Sequence, residues 1–180
     1  IWKLDEDKVF LSGNYDPLES RGIPVLPGTY TATIKYKGVE SSTTIKVVSD
    51  PRFTMKEEVD QELYRYNKAI NVEVEKLKSL FNLVSTWENE LKKIKESFSK
   101  KNKEDKSLKS INTMIDAVKQ LKLAGIDNPG DRQVGAWQST RTTPVSAINE
   151  AEKAAMARLD IPSEQDWKRV SDAAVLIEAF

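Results

Sequence analysis

The feature that most constrains this chain is a long apolar stripe at helical spacing. Residues 52–124 contain neither glycine nor proline, and apolar side chains recur there at steps of three and four. The stripe consists of Val59, Leu63, Tyr66, Ile70, Val74, Leu77, Phe81, Val84, Trp87, Leu91, Ile94 and Phe98. Such a period is typical of one face of an α-helix and lies close to a heptad repeat. It predicts a helix over about residues 55–100, roughly 65–70 Å long, whose weakest stretch for helix propensity is 82–86.

Three shorter helices are predicted after it, beyond a lysine-rich turn at 99–107. The second ends at Gly125, which is expected to cap it in a left-handed conformation. The third begins at Pro144, a favoured first helical residue, and the fourth is capped by Ser163 with Asp166 three residues on. Two tryptophans, Trp87 and Trp167, fall on the apolar stripes and are expected in the core.

The first fifty residues have the chemistry of strands. Apolar and polar residues alternate over 29–36 and again over 43–48, and Gly38 between them is typical of a β-hairpin turn. One or two further strands are expected around Trp2–Leu4 and Val9–Leu11. At Asp50-Pro51-Arg52 the pattern turns helical, and Thr54 with Glu57 predicts the helix N-cap. The sequence therefore predicts an α+β fold: a partial β-sheet domain over 1–50, and an up-and-down bundle of three to four helices over 51–180 with a long first helix.

Composition excludes several kinds of chemistry. The chain has 180 residues without cysteine or histidine, so disulfides, thiolate chemistry, imidazole bases and Cys/His metal sites are absent. Its 28 basic and 28 acidic residues balance, which gives no reason to expect nucleic acid as a partner. No apolar run is long enough to insert into a membrane. We predict no catalytic residue, cofactor or metal. The opening Ile-Trp-Lys-Leu, without Met, indicates a piece of a longer protein.

The residues that invite a functional interpretation lie in a turn-rich loop over 126–143. Trp137 stands there with Gln138, Arg132 and Arg141 nearby, and an exposed tryptophan of this kind can stack on a sugar or anchor a partner. The alternative is that Trp137 folds back to cover the bundle.

The charged runs have simpler interpretations. Paired acids are the only acid/base set left, but glutamates beside a lysine one turn away, such as Glu73 with Lys76 and Glu88 with Lys92, are typical of surface ion pairs. The lysine-rich run over 92–109 is interpreted as a solvated helix end.

The hairpin also carries a family resemblance. Val25-Leu26-Pro27-Gly28-Thr29-Tyr30, the two strands and Asp50-Pro51-Arg52 before a long helix resemble the C-terminal region of bacterial, Bacteroidetes-type, sortilin-like Asp-box β-propeller proteins, often labelled glycosyl-hydrolase-like. Trp2-Lys3-Leu4 and Ile161-Pro162-Ser163 fit the same order. The resemblance implies a partial immunoglobulin/fibronectin-like sandwich followed by a helical tail. The propeller's Asp-boxes do not occur here, so no catalytic residue carries over.

The resemblance implies an exported protein, periplasmic or at the cell surface. The leading expectation is a non-catalytic accessory or interaction module that scaffolds or dimerises a larger protein. Its expected partners are upstream domains of the same polypeptide and a second copy bound through the long helix. The alternatives are a carbohydrate-binding module that uses Trp137 and, last, a fragment of a carboxylate-based glycoside hydrolase.

Overall fold

The predicted α+β class is confirmed. The computed structural model describes residues 4–9, 22–49, 52, 56–99, 106–125, 142–156 and 160–180. Within these residues, two antiparallel sheets of two strands each precede four helices. The elements are β1 (Asp5–Glu6), β2 (Ile23–Pro24), β3 (Gly28–Tyr36), β4 (Val39–Val47), α1 (Glu57–Ser99), α2 (Lys106–Gly125), α3 (Pro144–Met156) and α4 (Glu164–Glu178).

The long first helix is continuous. α1 has 43 residues and does not break at its weakest stretch, 82–86. Its first turn carries Glu57, Glu58 and Asp60, negative charges that stabilise the positive end of the helix dipole. The predicted N-cap, Thr54, lies outside the described residues.

The three shorter helices pack along different parts of α1: α3 and α4 lie along its first half, and α2 lies along its second half. Near the start of α1, the hydroxyl of Tyr66 donates to the carbonyl oxygens of Ala151 late in α3 and Asp166 early in α4, both at 3.3 Å. At the end of α4, Phe180 meets Phe81 of α1 edge to face, with ring centroids 5.5 Å apart. α4 therefore runs parallel to α1, and α3 runs antiparallel to both.

α2 folds back along the second half of α1. Lys122, near the end of α2, donates to the hydroxyl of Ser85 at 3.3 Å and lies 3.6 Å from the Glu88 carboxylate. Because α2 begins seven residues after α1 ends, the two helices are antiparallel. They form a two-helix projection, here called the arm, from residues 80–99 of α1 and the whole of α2.

The core lies where α1, α3 and α4 meet. Its buried apolar residues are Tyr66, Ile70, Val74, Leu77, Ala147, Ile148, Ala151, Val170, Ala173 and Ile177. Trp167 packs against this core, edge to face with Tyr66 at 5.3 Å, as its position on the fourth stripe predicted. The core residues of α1 lie in the first half of that helix. Their burial stabilises the bundle, because apolar area removed from water is the main source of folding free energy.

The predicted helix starts are confirmed at α3 and α4. Pro144 is the first residue of α3. At α4, Asp166 accepts from the backbone N–H of Ser163 at 2.9 Å and from its hydroxyl at 2.6 Å, while the Asp166 N–H donates to the Ser163 Oγ at 3.3 Å. Arg169 also donates to Asp166, at 2.5 Å. This capping box satisfies helix N–H groups that have no partner inside the helix.

Gly125 does not have the conformation expected of it. Its φ is not positive, and it is the last residue of α2 rather than a left-handed cap beyond it. A Cβ at this position would lie 2.8 Å from the ring of Phe180 and 2.9 Å from the ring of Phe81. The glycine is needed because three helices approach one another here, not because of its backbone angles.

The expected early strands are placed differently. Asp5–Glu6 pairs with Ile23–Pro24, whereas Leu4 has a positive φ and Val9 lies in no strand. The Val9 N–H donates instead to the Asn71 side chain of α1 at 2.9 Å. The rest of both expected segments, including Trp2, lies outside the described residues. Both a short ladder with β2 and contacts with α1 therefore hold this part of the chain.

Candidate interaction surfaces

The β3–β4 hairpin has two chemically distinct faces. Its turn residues Lys37 and Gly38 both have positive φ, the conformation of the two-residue turns that suit hairpin twist. The register pairs Gly28 with Val47 and Tyr36 with Val39, as the position of the glycine predicted. Because side chains alternate along a strand, this register collects the apolar ones on one side, here called the apolar hairpin face: Tyr30, Ala32, Ile34, Tyr36, Val39, Ile45 and Val47.

The opposite face is polar and internally bonded. Thr33 and Ser42 are hydrogen-bonded across the strands at 2.9 Å, and Lys35 pairs with Glu40 at 3.0 Å. Cross-strand pairs of this kind each add a few tenths of a kcal/mol, up to about 1. The polar face is therefore suited to water as it stands.

Among the described residues, the part of the apolar hairpin face next to the turn is uncovered, whereas Tyr30, Ala32, Ile45 and Val47 are half-buried. Ile34 is 73% exposed and Val39 71% exposed, and Tyr36 is similarly open. β3 and β4 pack extensively on each other, and neither packs extensively on another described element. A lone two-stranded hairpin is marginally stable in water, so a face of this composition is suited to packing on a further surface.

The base of the hairpin lies near a small polar cluster at the start of α1. The Tyr30 hydroxyl donates to the Leu26 carbonyl at 2.6 Å. Beside it, the Tyr64 hydroxyl and the Lys68 ammonium both donate to the Glu6 carboxylate, at 2.7 and 2.9 Å. These contacts join β1 to α1 across some sixty residues of sequence. No spacing in the sequence indicated them.

The electrostatics of this cluster follow from its hydrogen bonds. Donation from Lys68, and then from Tyr64, lowers the pKa of Glu6 below its ordinary value. The same carboxylate raises the pKa of Lys68 and of Tyr64. Each group therefore stabilises the form that the other two have near neutral pH, which is ionised Glu6, protonated Lys68 and un-ionised Tyr64. We interpret the cluster as a structural anchor for the β1–β2 segment.

Among the residues that the structure describes, the arm presents a second uncovered apolar surface. Trp87, expected in the core, is 47% exposed, and Leu83, Ile94 and Phe98 are similarly open. The expectation for Trp87 was wrong because α2 covers one side of the stripe only, the side of Val84. On α2, Met114 is 54% exposed, and Val118 and Leu121 are half-buried.

These residues form one continuous surface. Each residue turns the helix by about 100°. With the two helices antiparallel, the exposed apolar residues of α1 and those of α2 therefore lie on the same side of the line along which the helices contact each other. We call this surface the arm face: Leu83, Trp87, Ile94 and Phe98 of α1, and Met114, Val118 and Leu121 of α2. This side of α2 was not predicted from the sequence; the spacing of Met114, Val118 and Leu121 is the signal by which it could have been found.

The acids of α1 form the ion pairs that their spacing predicted. Glu73 accepts from Lys76 at 2.8 Å, and Glu88 accepts from Lys92 at 2.5 Å. Lys92, and to a lesser degree Lys122, lowers the pKa of Glu88. Among the described residues, the second carboxylate oxygen of Glu73 is buried and has no hydrogen-bond partner.

The described residues place no group of three or more acidic, histidine or cysteine side chains where it could hold a metal ion. Nor does any described helix have the length and apolar character to cross a membrane.

The four residues proposed for ligand binding, Arg132, Trp137, Gln138 and Arg141, lie outside the described residues. Their role, and the choice between a sugar-binding and a covering Trp137, stay predictions. Comparisons with models of known families, with curated proteins and with solved structures found no match to this chain. The candidate surfaces therefore rest on the geometry of the chain itself.

Proposed function

We propose that this chain is a non-catalytic accessory module that joins or scaffolds parts of a larger exported protein. The observation that carries the proposal is the apolar hairpin face, which has the composition of a sheet interior and an exposure near 70% at Ile34 and Val39. The resemblance of the Pro27-Gly28-Thr29-Tyr30 strand to exported propeller proteins agrees with this role.

The partner that fits the apolar hairpin face is a second β-sheet, supplied by another domain of the same polypeptide. Sheet-on-sheet packing buries alternate side chains of each strand about 10 Å from the facing sheet. β3 offers such an alternation over nine residues. β4 contributes Val39, Ile45 and Val47 to the same face, with Ser41 and Thr43 between them. The polar face of the hairpin would then remain in water, as in a sandwich.

Cysteine labelling tests this proposal directly, because the chain has no cysteine of its own. Single variants Ile34→Cys and Thr33→Cys place a thiol on the apolar and polar faces at neighbouring residues. Each is labelled with a maleimide in the isolated chain and in the protein made from its complete reading frame.

We expect the thiol at position 34 to react at least about tenfold more slowly in the complete protein, because sheet packing would remove it from water. The thiol at position 33 should react equally fast in both. Equal rates at position 34 in the two proteins would refute the proposal. Equal slowing at both positions would indicate occlusion that does not distinguish the faces, and would also contradict a sandwich.

A further inference from the structure

The arm face is nearly free of charge in a chain of which 31% of the residues are charged. No charged side chain lies between its members on the surface of either helix. Glu90 borders it, and the Glu90 carboxylate already accepts from Lys93 at 2.7 Å. A large uncharged surface on a highly charged helix pair is typical of an interface rather than of a solvated face.

The spacing of the arm-face residues along α1 allows them to pack on the same residues of a second copy. Leu83, Trp87, Ile94 and Phe98 are separated by steps of four, seven and four, which read the same in both directions. If two copies of α1 pack antiparallel about a point between Glu90 and Leu91, Leu83 of each copy lies level with Phe98 of the other, and Trp87 with Ile94. A two-fold interface requires this property, since the same surface must fit itself.

The charges around the stripe favour the same orientation. Two acids, Glu88 and Glu90, precede its midpoint, and three lysines and one acid follow it: Lys92, Lys93, Lys95 and Glu96. Antiparallel packing sets the acids of one copy level with the lysines of the other, whereas parallel packing would set like charges level. Like charges at close range repel and opposite charges attract, so the antiparallel pair is electrostatically preferred.

We propose that a second copy of this chain covers the arm face, with the two arms packed antiparallel into a four-helix bundle. α1 of one copy packs on α1 of the other, and α2 on α2. Trp87 and Ile94 lie at the centre of the interface, and Glu90 with Lys93 lies at its rim. The inference rests on the proposed role of the chain as an interaction module, and it names the partner of a surface separate from the hairpin.

Sedimentation velocity over a wide concentration series provides the first test. We expect a monomer–dimer equilibrium that Ile94→Glu weakens at least about thirty-fold, the effect of losing a central interface residue. Val175→Glu is the matched control, because Val175 is an equally apolar, 62% exposed residue of α4, and it should leave the equilibrium unchanged. Ile34→Lys, on the apolar hairpin face, should also leave it unchanged.

The results separate the two surfaces. A wild-type chain that stays monomeric throughout the series would overturn the dimer and leave the hairpin proposal standing. Dimerisation abolished by Ile34→Lys but not by Ile94→Glu would assign self-association to the hairpin and would also overturn the inference. Circular dichroism of the Ile94→Glu variant should match that of the wild type, since the side chain is exposed in the monomer.

Cross-linking tests the orientation. Glu90 and Ser97 lie on the same flank of the arm face and are both exposed. In the antiparallel dimer, position 90 lies next to its own equivalent, whereas position 97 lies level with residue 84 of the other copy, roughly 20 Å from its equivalent. With a short bifunctional maleimide, the Glu90→Cys variant should cross-link to itself and the Ser97→Cys variant should not. Cross-linking of both variants, or of neither, would refute the antiparallel arrangement.

Discussion

Substitution of Gly125 by alanine tests whether the junction of α1, α2 and α4 depends on the close approach of two aromatic rings to this residue. Gly125 ends α2 where Phe81 of α1 and Phe180 at the end of α4 meet. An alanine Cβ would lie 2.8–2.9 Å from carbon atoms of both rings. That is well inside the ordinary separation of about 3.5–4.0 Å between carbon atoms, so one or both rings must move.

Two opposing effects set the magnitude. Alanine is favoured over glycine in a helix by at most about 1 kcal/mol. Forcing a methyl group into a packed site costs about 1–3 kcal/mol. The packing term is the larger, so we expect Gly125→Ala to lower the free energy of unfolding by about 1 kcal/mol.

The measurement is urea denaturation followed by far-UV circular dichroism, at a concentration where sedimentation shows a single species. A change in midpoint with an unchanged m-value reports stability alone. The same substitution is then made in a Phe180→Ala background, where one of the two rings is gone. There the helix-propensity gain should dominate, so the double-mutant cycle should give a coupling energy of about 1–2 kcal/mol.

If Gly125→Ala raises the stability by about 1 kcal/mol, and does so equally with and without the Phe180 ring, then the glycine is not required by packing. The junction would then be looser than the distances indicate.

Three further predictions concern the core, the α4 cap and the polar cluster. Leu77→Ala should lower the free energy of unfolding by about 2–5 kcal/mol, because the side chain is fully buried. The control Val175→Ala, on the exposed side of α4, should change it by no more than about 0.5 kcal/mol. Equal losses in the two variants would contradict the assigned core. Asp166→Ala should cost about 2 kcal/mol, because it removes one half of the capping box and the acceptor of two partly buried donors, the Ser163 N–H and the Arg169 guanidinium. Asp172→Ala, at an exposed pair with Lys168, is the matched control, and a loss as small as the control's would show that the cap contributes little. The pKa of Glu6 is lower in the folded chain than its ordinary value of 4.5. The ionised carboxylate therefore stabilises the fold fully above pH 4.5, and this stabilisation disappears as the pH falls through the lowered pKa. Glu6→Gln should therefore destabilise by less than about 1 kcal/mol near neutral pH, since the pair is partly screened by solvent, and should match the wild type in acid; a pH-independent difference in denaturation midpoint would contradict this assignment.

Local sequence patterns predicted the β3–β4 hairpin and the four helices, but not the pairing of β1 with β2. The hairpin register follows from alternation and from the Lys37-Gly38 turn, and the continuity of α1 follows from a stretch without glycine or proline. The starts of α3 and α4 follow from Pro144 and from Ser163 with Asp166. These features depend on neighbours within a few residues, so the sequence contains the information directly.

The surfaces proposed for interaction were decided by the tertiary structure. Trp87 and Leu77 lie on the same apolar stripe, yet one is exposed and the other buried, because α3 and α4 cover the first half of α1 and α2 alone faces the second. The anchor of Glu6 to Tyr64 and Lys68, and the role of Gly125, likewise depend on groups far apart in the chain. By itself, the sequence determined which faces are apolar. Only the packing of the helices decided which of those faces remain open to a partner, because periodicity specifies the side of an element and not what lies against it.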